Sequence, residues 1–190
     1  CTACKMVKYC NRDCQIAHRP QHKKSCKKRA AELYDEKLFG EPPPREECPI
    51  CFLPLPLENS FTIFESCCGK DICNGCVYAM FETGGKNMKL CPFCKTSRAK
   101  SDEEDVKRVK KLMIKGNGRA FYQLAAYYAQ GIKGMPQDRA NANELWHKAG
   151  ELGHAGAYYN LGNTYNNGRG VEVDKKKAKH YYELAAMNGS

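Results

Sequence analysis

A mainly α fold, with small metal-stabilised α+β fingers placed before an α-solenoid of helical hairpins, is what three features of the sequence predict. All 13 cysteines lie between Cys1 and Cys94, most of them in Cys-x-x-Cys pairs. A capping box, Ser101-Asp-Glu-Glu, opens an amphipathic stretch soon after the last pair. From Ala120 onward the chain repeats itself at 36–37 residues, the signature of stacked helical hairpins.

The 190 residues are 42% hydrophobic, which suits more than one small globular domain. Recurrent Cys-x-x-Cys pairs point to zinc rather than to a disulfide framework, and so to a reducing compartment, cytoplasmic or nuclear. No stretch approaches the ~18–20 apolar residues of a membrane span, and no leader pattern is visible. The chain begins on Cys1 rather than Met, so it is read as a piece of a longer protein. The formal charge of +10 suggests nucleic acid at first sight. Zinc-bound cysteines are thiolates, however, and three filled sites would remove about five of those charges. The basic clusters Lys23, Lys24, Lys27, Lys28, Arg29 and Lys175, Lys176, Lys177, Lys179 read as solvated helix faces. Nucleic acid is therefore a disfavoured partner.

Taken in order, the expected segments are a partial zinc finger over 1–26, a helix and Pro-rich linker over 27–47, a second finger over 48–97, a connecting helix over 98–118, and two helical repeats over 119–190. Residues 27–38 read as a short helix, broken by Gly40 and Pro42–Pro44. In the connecting helix, Val106, Val109 and Met113 fall at helical spacing before Gly116-Asn-Gly118 ends it. In the repeats, Leu124, Tyr128 and Gly131 recur 37 residues later as Leu161, Tyr165 and Gly168. Asp138, Leu145, Trp146 and Ala149 recur 36 residues later as Asp174, Tyr181, Tyr182 and Ala185, which places one extra residue near Lys133-Gly134-Met135. The small residues Ala125, Ala126, Ala149 and Gly162 allow close helix packing. Two units are few for a continuous core, so the array is expected to run on past Ser190. Trp146, Tyr181 and Tyr182 read as inter-repeat core, with binding anchors as the other reading. His147, His154 and His180 read as isolated and solvated.

The second finger carries Cys48, Cys51, Cys67, Cys68, Cys73, Cys76, Cys91 and Cys94, eight thiols for two tetrahedral sites. Cys48-Pro-Ile-Cys51, Cys68-Gly-Lys-Asp-Ile-Cys73-Asn-Gly-Cys76 and Cys91-Pro-Phe-Cys94 resemble a RING finger over about a quarter of the chain. The resemblance implies a cross-brace with two zinc ions, one held by Cys48, Cys51, Cys73 and Cys76, the other by Cys67, Cys68, Cys91 and Cys94. Lys70 stands where such fingers have a histidine, and Cys67 is the natural replacement ligand; the other reading leaves Cys67 merely buried. The family implies a ubiquitin ligase that positions a charged ubiquitin-conjugating enzyme without covalent chemistry of its own. Ile50, Pro92 and Phe81, with Met80 beside it, would form its contact groove, or else a mini-core. Lys95 stands where a cation orients ubiquitin, without the fork of arginine.

Residues 1–26 supply Cys1, Cys4, Cys10, Cys14, His22 and Cys26. Tyr9-Cys10-Asn-Arg-Asp-Cys14-Gln15 followed by His22-Lys23-x2-Cys26 resembles the later two-thirds of a MYND finger, a protein-interaction module. The resemblance implies one complete zinc site (Cys1, Cys4, His22, Cys26) and one incomplete site (Cys10, Cys14), with His18 a rival to His22. Arg19 replaces a usual tryptophan. Leu161-Gly162-x2-Tyr165-x2-Gly168 and the residues up to Ala186 resemble Sel-one-like repeats, relatives of the tetratricopeptide repeat. Such arrays imply a scaffold that holds substrate or complex subunits. The three modules together resemble multi-module proteins of diatoms and related algae. The functions weighed are thus a ubiquitin ligase whose repeats choose the substrate, a non-enzymatic zinc-finger adaptor, and nucleic-acid binding as the weakest. No hydrolase, redox or phosphate-loop motif stands out.

Overall fold

The structure is a computed structural model and describes residues 1–9, 11–56, 61–82 and 89–189. It divides into two compact units, Cys1–Pro42 and Pro43–Ser190.

The first unit is a short cysteine loop and one long helix, α1 (Arg12–Leu38). Asn11 caps it, its side chain accepting from the Cys14 N–H at 2.8 Å, and Asp13 sits in the positive first turn. The expected short helix over 27–38 is therefore corrected, because α1 starts about four turns earlier and runs through Pro20. Pro20 and the dense Cys, His and Lys usage make residues 12–26 look irregular. A helix nonetheless places His22 and Cys26 one turn apart on one face, where both can meet a single metal. Arg29 pairs with Glu36 at 2.8 Å and with Glu32 at 3.1 Å, while Lys23, Lys24, Lys27 and Lys28 are exposed.

The second unit begins with two turns of one design. In the first, the Phe52 N–H donates to the Cys48 carbonyl (2.9 Å), the Cys48 N–H to Leu53 (2.9 Å), and the Leu55 N–H to Glu46 (2.8 Å). In the second, Lys95 donates to Cys91 (3.0 Å), Cys91 to Thr96 (2.7 Å), and Arg98 to Lys89 (2.8 Å). Between them lie an antiparallel hairpin, β1 (Thr62–Glu65) and β2 (Lys70–Cys73), with Ile63 opposite Ile72, and the helix α2 (Asn74–Glu82). Leu55, Ile72 and Val77 pack with Cys48, Cys51, Cys73 and Cys76 into a very small core.

The helices α3 (Asp102–Ile114), α4 (Gly118–Gln130), α5 (Arg139–Glu151), α6 (Ala155–Asn167) and α7 (Lys175–Met187) follow. Their caps repeat with the sequence. Gly131 and Gly168 end α4 and α6 in the left-handed conformation (φ 68° and 67°), which glycine adopts without cost. Asp138 and Asp174 cap α5 and α7. The extra residue of the first loop is absorbed where Lys133 and Gly134 both take positive φ. Ser101 caps α3 by accepting from Glu104, whose carboxylate accepts from the Lys100 N–H, a capping box shifted by one donor.

Val106, Val109, Ala120, Leu124 and Tyr127 form the main core, and Phe64 of β1 packs against it. The hairpin and the repeats therefore share one hydrophobic interior within the second unit. Ala125 and Ala149 are fully buried, and Gly162 leaves room for the Tyr182 ring, which a Cβ would meet at 2.5 Å. Tyr181 stacks on Tyr165 at 5.5 Å, and the Tyr182 hydroxyl donates to Asn163 at 2.9 Å, so these two half-buried rings join α6 to α7 within the second repeat. His147 and His180 are exposed. His154 corrects the solvated reading, since it is half-buried and stacks on Tyr122 at 4.3 Å. No helix among the described residues is long and apolar enough to cross a membrane.

Candidate metal centres

Three clusters of four ligands stand out among the described residues: Cys1, Cys4, His22 and Cys26; Cys48, Cys51, Cys73 and Cys76; and Cys67, Cys68, Cys91 and Cys94. In the first, a tight loop brings Cys1 and Cys4 together, with the Lys5 N–H donating to the Cys1 carbonyl at 3.0 Å and Lys5 itself at positive φ. Two turns of α1 supply the other pair. Cys1 and Cys26 sulfurs lie 3.4 Å apart, and Cys4 Sγ lies 3.1 Å from His22 Nε2. His18 points elsewhere, its Nδ1 paired with the Tyr9 hydroxyl at 3.1 Å, and its ring stacks on His22. His22 and not His18 thus joins the cluster. Cys14 is exposed and lies in none of the three clusters. Cys10 lies outside the described residues.

The other two clusters interleave along the chain. The first turn (Cys48, Cys51) shares its cluster with β2 and α2 (Cys73, Cys76). The hairpin turn (Cys67, Cys68) shares its cluster with the second turn (Cys91, Cys94). Sulfur separations are 3.8 Å for Cys48–Cys76, 3.8 Å for Cys51–Cys73, 3.9 Å for Cys68–Cys91 and 3.4 Å for Cys67–Cys94. A tetrahedral zinc with bonds of about 2.3 Å requires sulfur–sulfur edges of about 3.8 Å, so the donor sets fit that ion. Adjacent cysteines reach one metal because Gly69, at φ 72°, turns the chain straight after them, its N–H donating to the Glu65 carbonyl at 2.8 Å.

Charge crowding supports a cation at each of the two four-cysteine centres. Burial opposes ionisation of Cys48, but the N–H groups of Cys51, Cys73 and Ile50 outweigh it and hold its thiol down at about 6. Burial likewise opposes ionisation of Cys94, and the Thr96 hydroxyl and N–H outweigh it, again to about 6. In the same quartets burial, then the neighbouring thiols, push Cys76 and Cys67 far up. Burial also lifts Cys68 to about 11. Four thiols at such distances cannot all ionise without a central positive charge, which zinc supplies.

The candidate contact residues divide. Ile50 is 37% and Phe81 47% exposed, whereas Pro92 is buried. Met80 is half-buried. Lys95 follows the last cysteine at φ 60°, and its Nζ donates to the Pro92 carbonyl at 2.8 Å. Phe52 holds the matching place after Cys51, also at positive φ (59°) and 71% exposed. Sequence reasoning missed this residue; the signal was the 43-residue offset of two like-sequenced turns, Cys-Pro-Ile-Cys and Cys-Pro-Phe-Cys.

Comparison with known proteins bears on these modules. Residues 1–26 match the MYND finger model, and residues 119–154 and 155–190 each match the Sel1 repeat. A 51-residue stretch is 47% identical to the E3 ubiquitin-protein ligase GW2 of rice (Oryza sativa), covering 27% of this chain and 11% of that one. A 78-residue stretch is 37% identical to chitin synthase regulatory factor 1 of Schizosaccharomyces pombe, covering 40% of this chain and 17% of that one. The chain thus spans less than a fifth of the length of either relative. A crystal structure of a Sel1 repeat protein from Oxalobacter formigenes is similar at 29% identity and a TM-score of 0.43, covering 45% of this chain and 65% of that one. These matches lend no support to the algal resemblance. The chain is a zinc-binding protein-interaction scaffold that carries a MYND finger at residues 1–26 and two Sel1 repeats over residues 119–190.

Proposed function

We propose that this scaffold is a RING-type ubiquitin ligase, in which the finger at 48–97 positions a charged ubiquitin-conjugating enzyme while the Sel1 repeats hold the substrate or complex subunits. The observation that carries the reading is the interleaving of the two four-cysteine clusters. The 47% identity to a rice E3 ubiquitin-protein ligase supports it. Catalysis of this kind is positioning, and asks the protein for a rigid docking surface rather than an acid, base or nucleophile. Ile50 and Phe81 offer exposed apolar contact beside the metal loops, and Lys95 offers a cation. Three zinc ions fill the three complete clusters. The protein works in the cytoplasm or nucleus, where thiols stay reduced.

The test is ubiquitin-chain formation by the zinc-loaded chain with a panel of conjugating enzymes. Activity with at least one enzyme, most of it lost in Ile50→Ala, is expected. Silence across the panel, or an Ile50→Ala variant as active as the parent, would overturn the ligase reading. The second reading, a non-enzymatic adaptor, is favoured by the burial of Pro92 and by the Lys95 ammonium being tied back to the Pro92 carbonyl. Under it, pull-downs recover no conjugating enzyme.

A further inference from the structure

Helices α4 and α5 of the first Sel1 repeat and α6 of the second enclose a cleft of about 370 Å³. That size lies within the range of sites that bury a small ligand group. Neutral amides, hydroxyls, one indole and two arginines make up its polar lining. Trp146 Nε1 and Asn143 Nδ2 are both buried and lack a hydrogen-bond partner among the described residues. The Asn143 carbonyl is already used, accepting from the Thr164 hydroxyl at 3.3 Å. An indole N–H can only donate, so Trp146 is satisfied only by an acceptor entering the cleft, from a ligand or from solvent. Buried donors left without acceptors are costly and rare in native structures.

Two arginines complete the cleft. Arg139 stands at the start of α5, and Arg169 lies in the loop after α6. The loop is drawn onto Arg139 because Gly170 has no side chain, and a Cβ there would lie 2.7 Å from the Arg139 Cβ. Both arginines are exposed, and neither forms an ion pair among the described residues. No Asp or Glu lines the cleft. Elsewhere in the same unit several cations are matched: Arg98 with Glu65, Arg108 with Glu104, Arg119 with Asp71 and Lys133 with Asp102, all at 2.6–2.8 Å.

We propose that this inter-repeat cleft binds a carboxylate-bearing segment of a partner protein, the carboxylate meeting Arg139 and Arg169 at the rim and the Trp146 and Asn143 N–H groups within. A carboxylate offers acceptors only, and its planar pair of oxygens matches the guanidinium fork. The proposal deepens the recruiting half of the function proposed above and does not depend on the ligase half.

Trp146 is the single tryptophan of the chain, so its fluorescence reports on the cleft directly. The zinc-loaded chain is titrated with three short synthetic peptides: a Glu-rich peptide with an amidated C terminus, the same peptide with Gln for every Glu, and a Gly-Ser peptide with a free C-terminal carboxylate. A saturable change with either carboxylate peptide, absent with the Gln peptide, is expected, and which of the two binds identifies a side-chain or a terminal carboxylate. Arg139→Ala combined with Arg169→Ala is expected to weaken that binding at least about tenfold. An equal response to the Gln peptide, no response to either carboxylate peptide, or unchanged affinity in the double variant overturns the proposal. The peptide comparison uses the unaltered protein and stands even where the variant loses its fold. None of these readouts requires ubiquitin transfer.

Discussion

Arg119, one residue into the first helix of the Sel1 repeats, donates from Nε to Asp71 of the zinc-finger hairpin, at 2.7 Å to Oδ2 and 3.0 Å to Oδ1. Only 12% and 11% of the two side chains remain exposed. The same guanidinium lies over the rings of Phe64 (5.3 Å) and Tyr122 (4.9 Å), and Asp105 of α3 accepts from both Ser66 of the hairpin and Tyr127 of α4. The finger is therefore built onto the repeats rather than strung beside them.

Removing one partner of this buried pair leaves the other charge dry and unpaired. Arg119→Ala is expected to cost about 3 kcal/mol or more of stability, and Arg119→Lys to recover only part of it because the planar stacking over Phe64 and Tyr122 is lost. Urea unfolding measures the cost. Faster hydrogen exchange in both Thr62–Cys73 and α4 would mark the loss of coupling, whereas change confined to α4 would refute it.

Cys67 sits 3.4 Å from Cys94 in the second quartet. Elemental analysis of the purified chain is expected to return about three zinc ions, falling to about two in Cys67→Ser. Cys14→Ser is expected to leave the count alone. A Cys67→Ser protein that kept its full complement would make Cys67 a buried bystander.

Gly162 faces the Tyr182 ring so closely that a methyl group would lie 2.5 Å from it. Gly162→Ala is expected to destabilise the repeats by about 1–3 kcal/mol, despite the better helix propensity of alanine. Combining it with Tyr182→Leu is expected to recover part of that loss, a non-additivity that thermal melts of the four proteins would read.

His154 is held neutral by burial and by the nearby Arg119 charge, its pKa brought down to about 3. Unfolded histidine titrates near 6.5, so below that pH the unfolded chain binds the extra proton and the fold loses stability. Between pH 7.5 and 5.5 the loss is expected to be about 1 kcal/mol. His154→Phe keeps an aromatic ring against Tyr122 and is expected to flatten that dependence, measured as the difference between the melting midpoints of the two proteins at each pH. Identical slopes would exclude His154 as its source.

Much of the architecture was legible because its signals are local. Gly131 and Gly168 mark helix ends through the left-handed backbone that glycine tolerates, and Asp138 and Asp174 mark helix starts through their side-chain oxygens. A cap involves a few neighbouring residues, and repetition at a fixed period doubles the signal. Helix α1 was less legible, since its first half contains Pro20 and is ordered by ligands that must meet Cys1 and Cys4 across the loop. His154 was misjudged for a related reason: its burial comes from Tyr122, 32 residues away.

What the sequence determined by itself was the inventory: the cysteine pairs, the repeat period, the caps, and hence a chain of zinc fingers followed by helical hairpins. Each of those features is written in spacing, and spacing survives without knowledge of which distant residues meet. Only the tertiary structure decided that Arg119 meets Asp71, that Phe64 enters the repeat core, and that the Trp146 and Asn143 N–H groups lie buried in a cleft with two unmatched arginines. Such contacts join residues far apart along the chain, and their energies come from burial and charge pairing that no local pattern encodes.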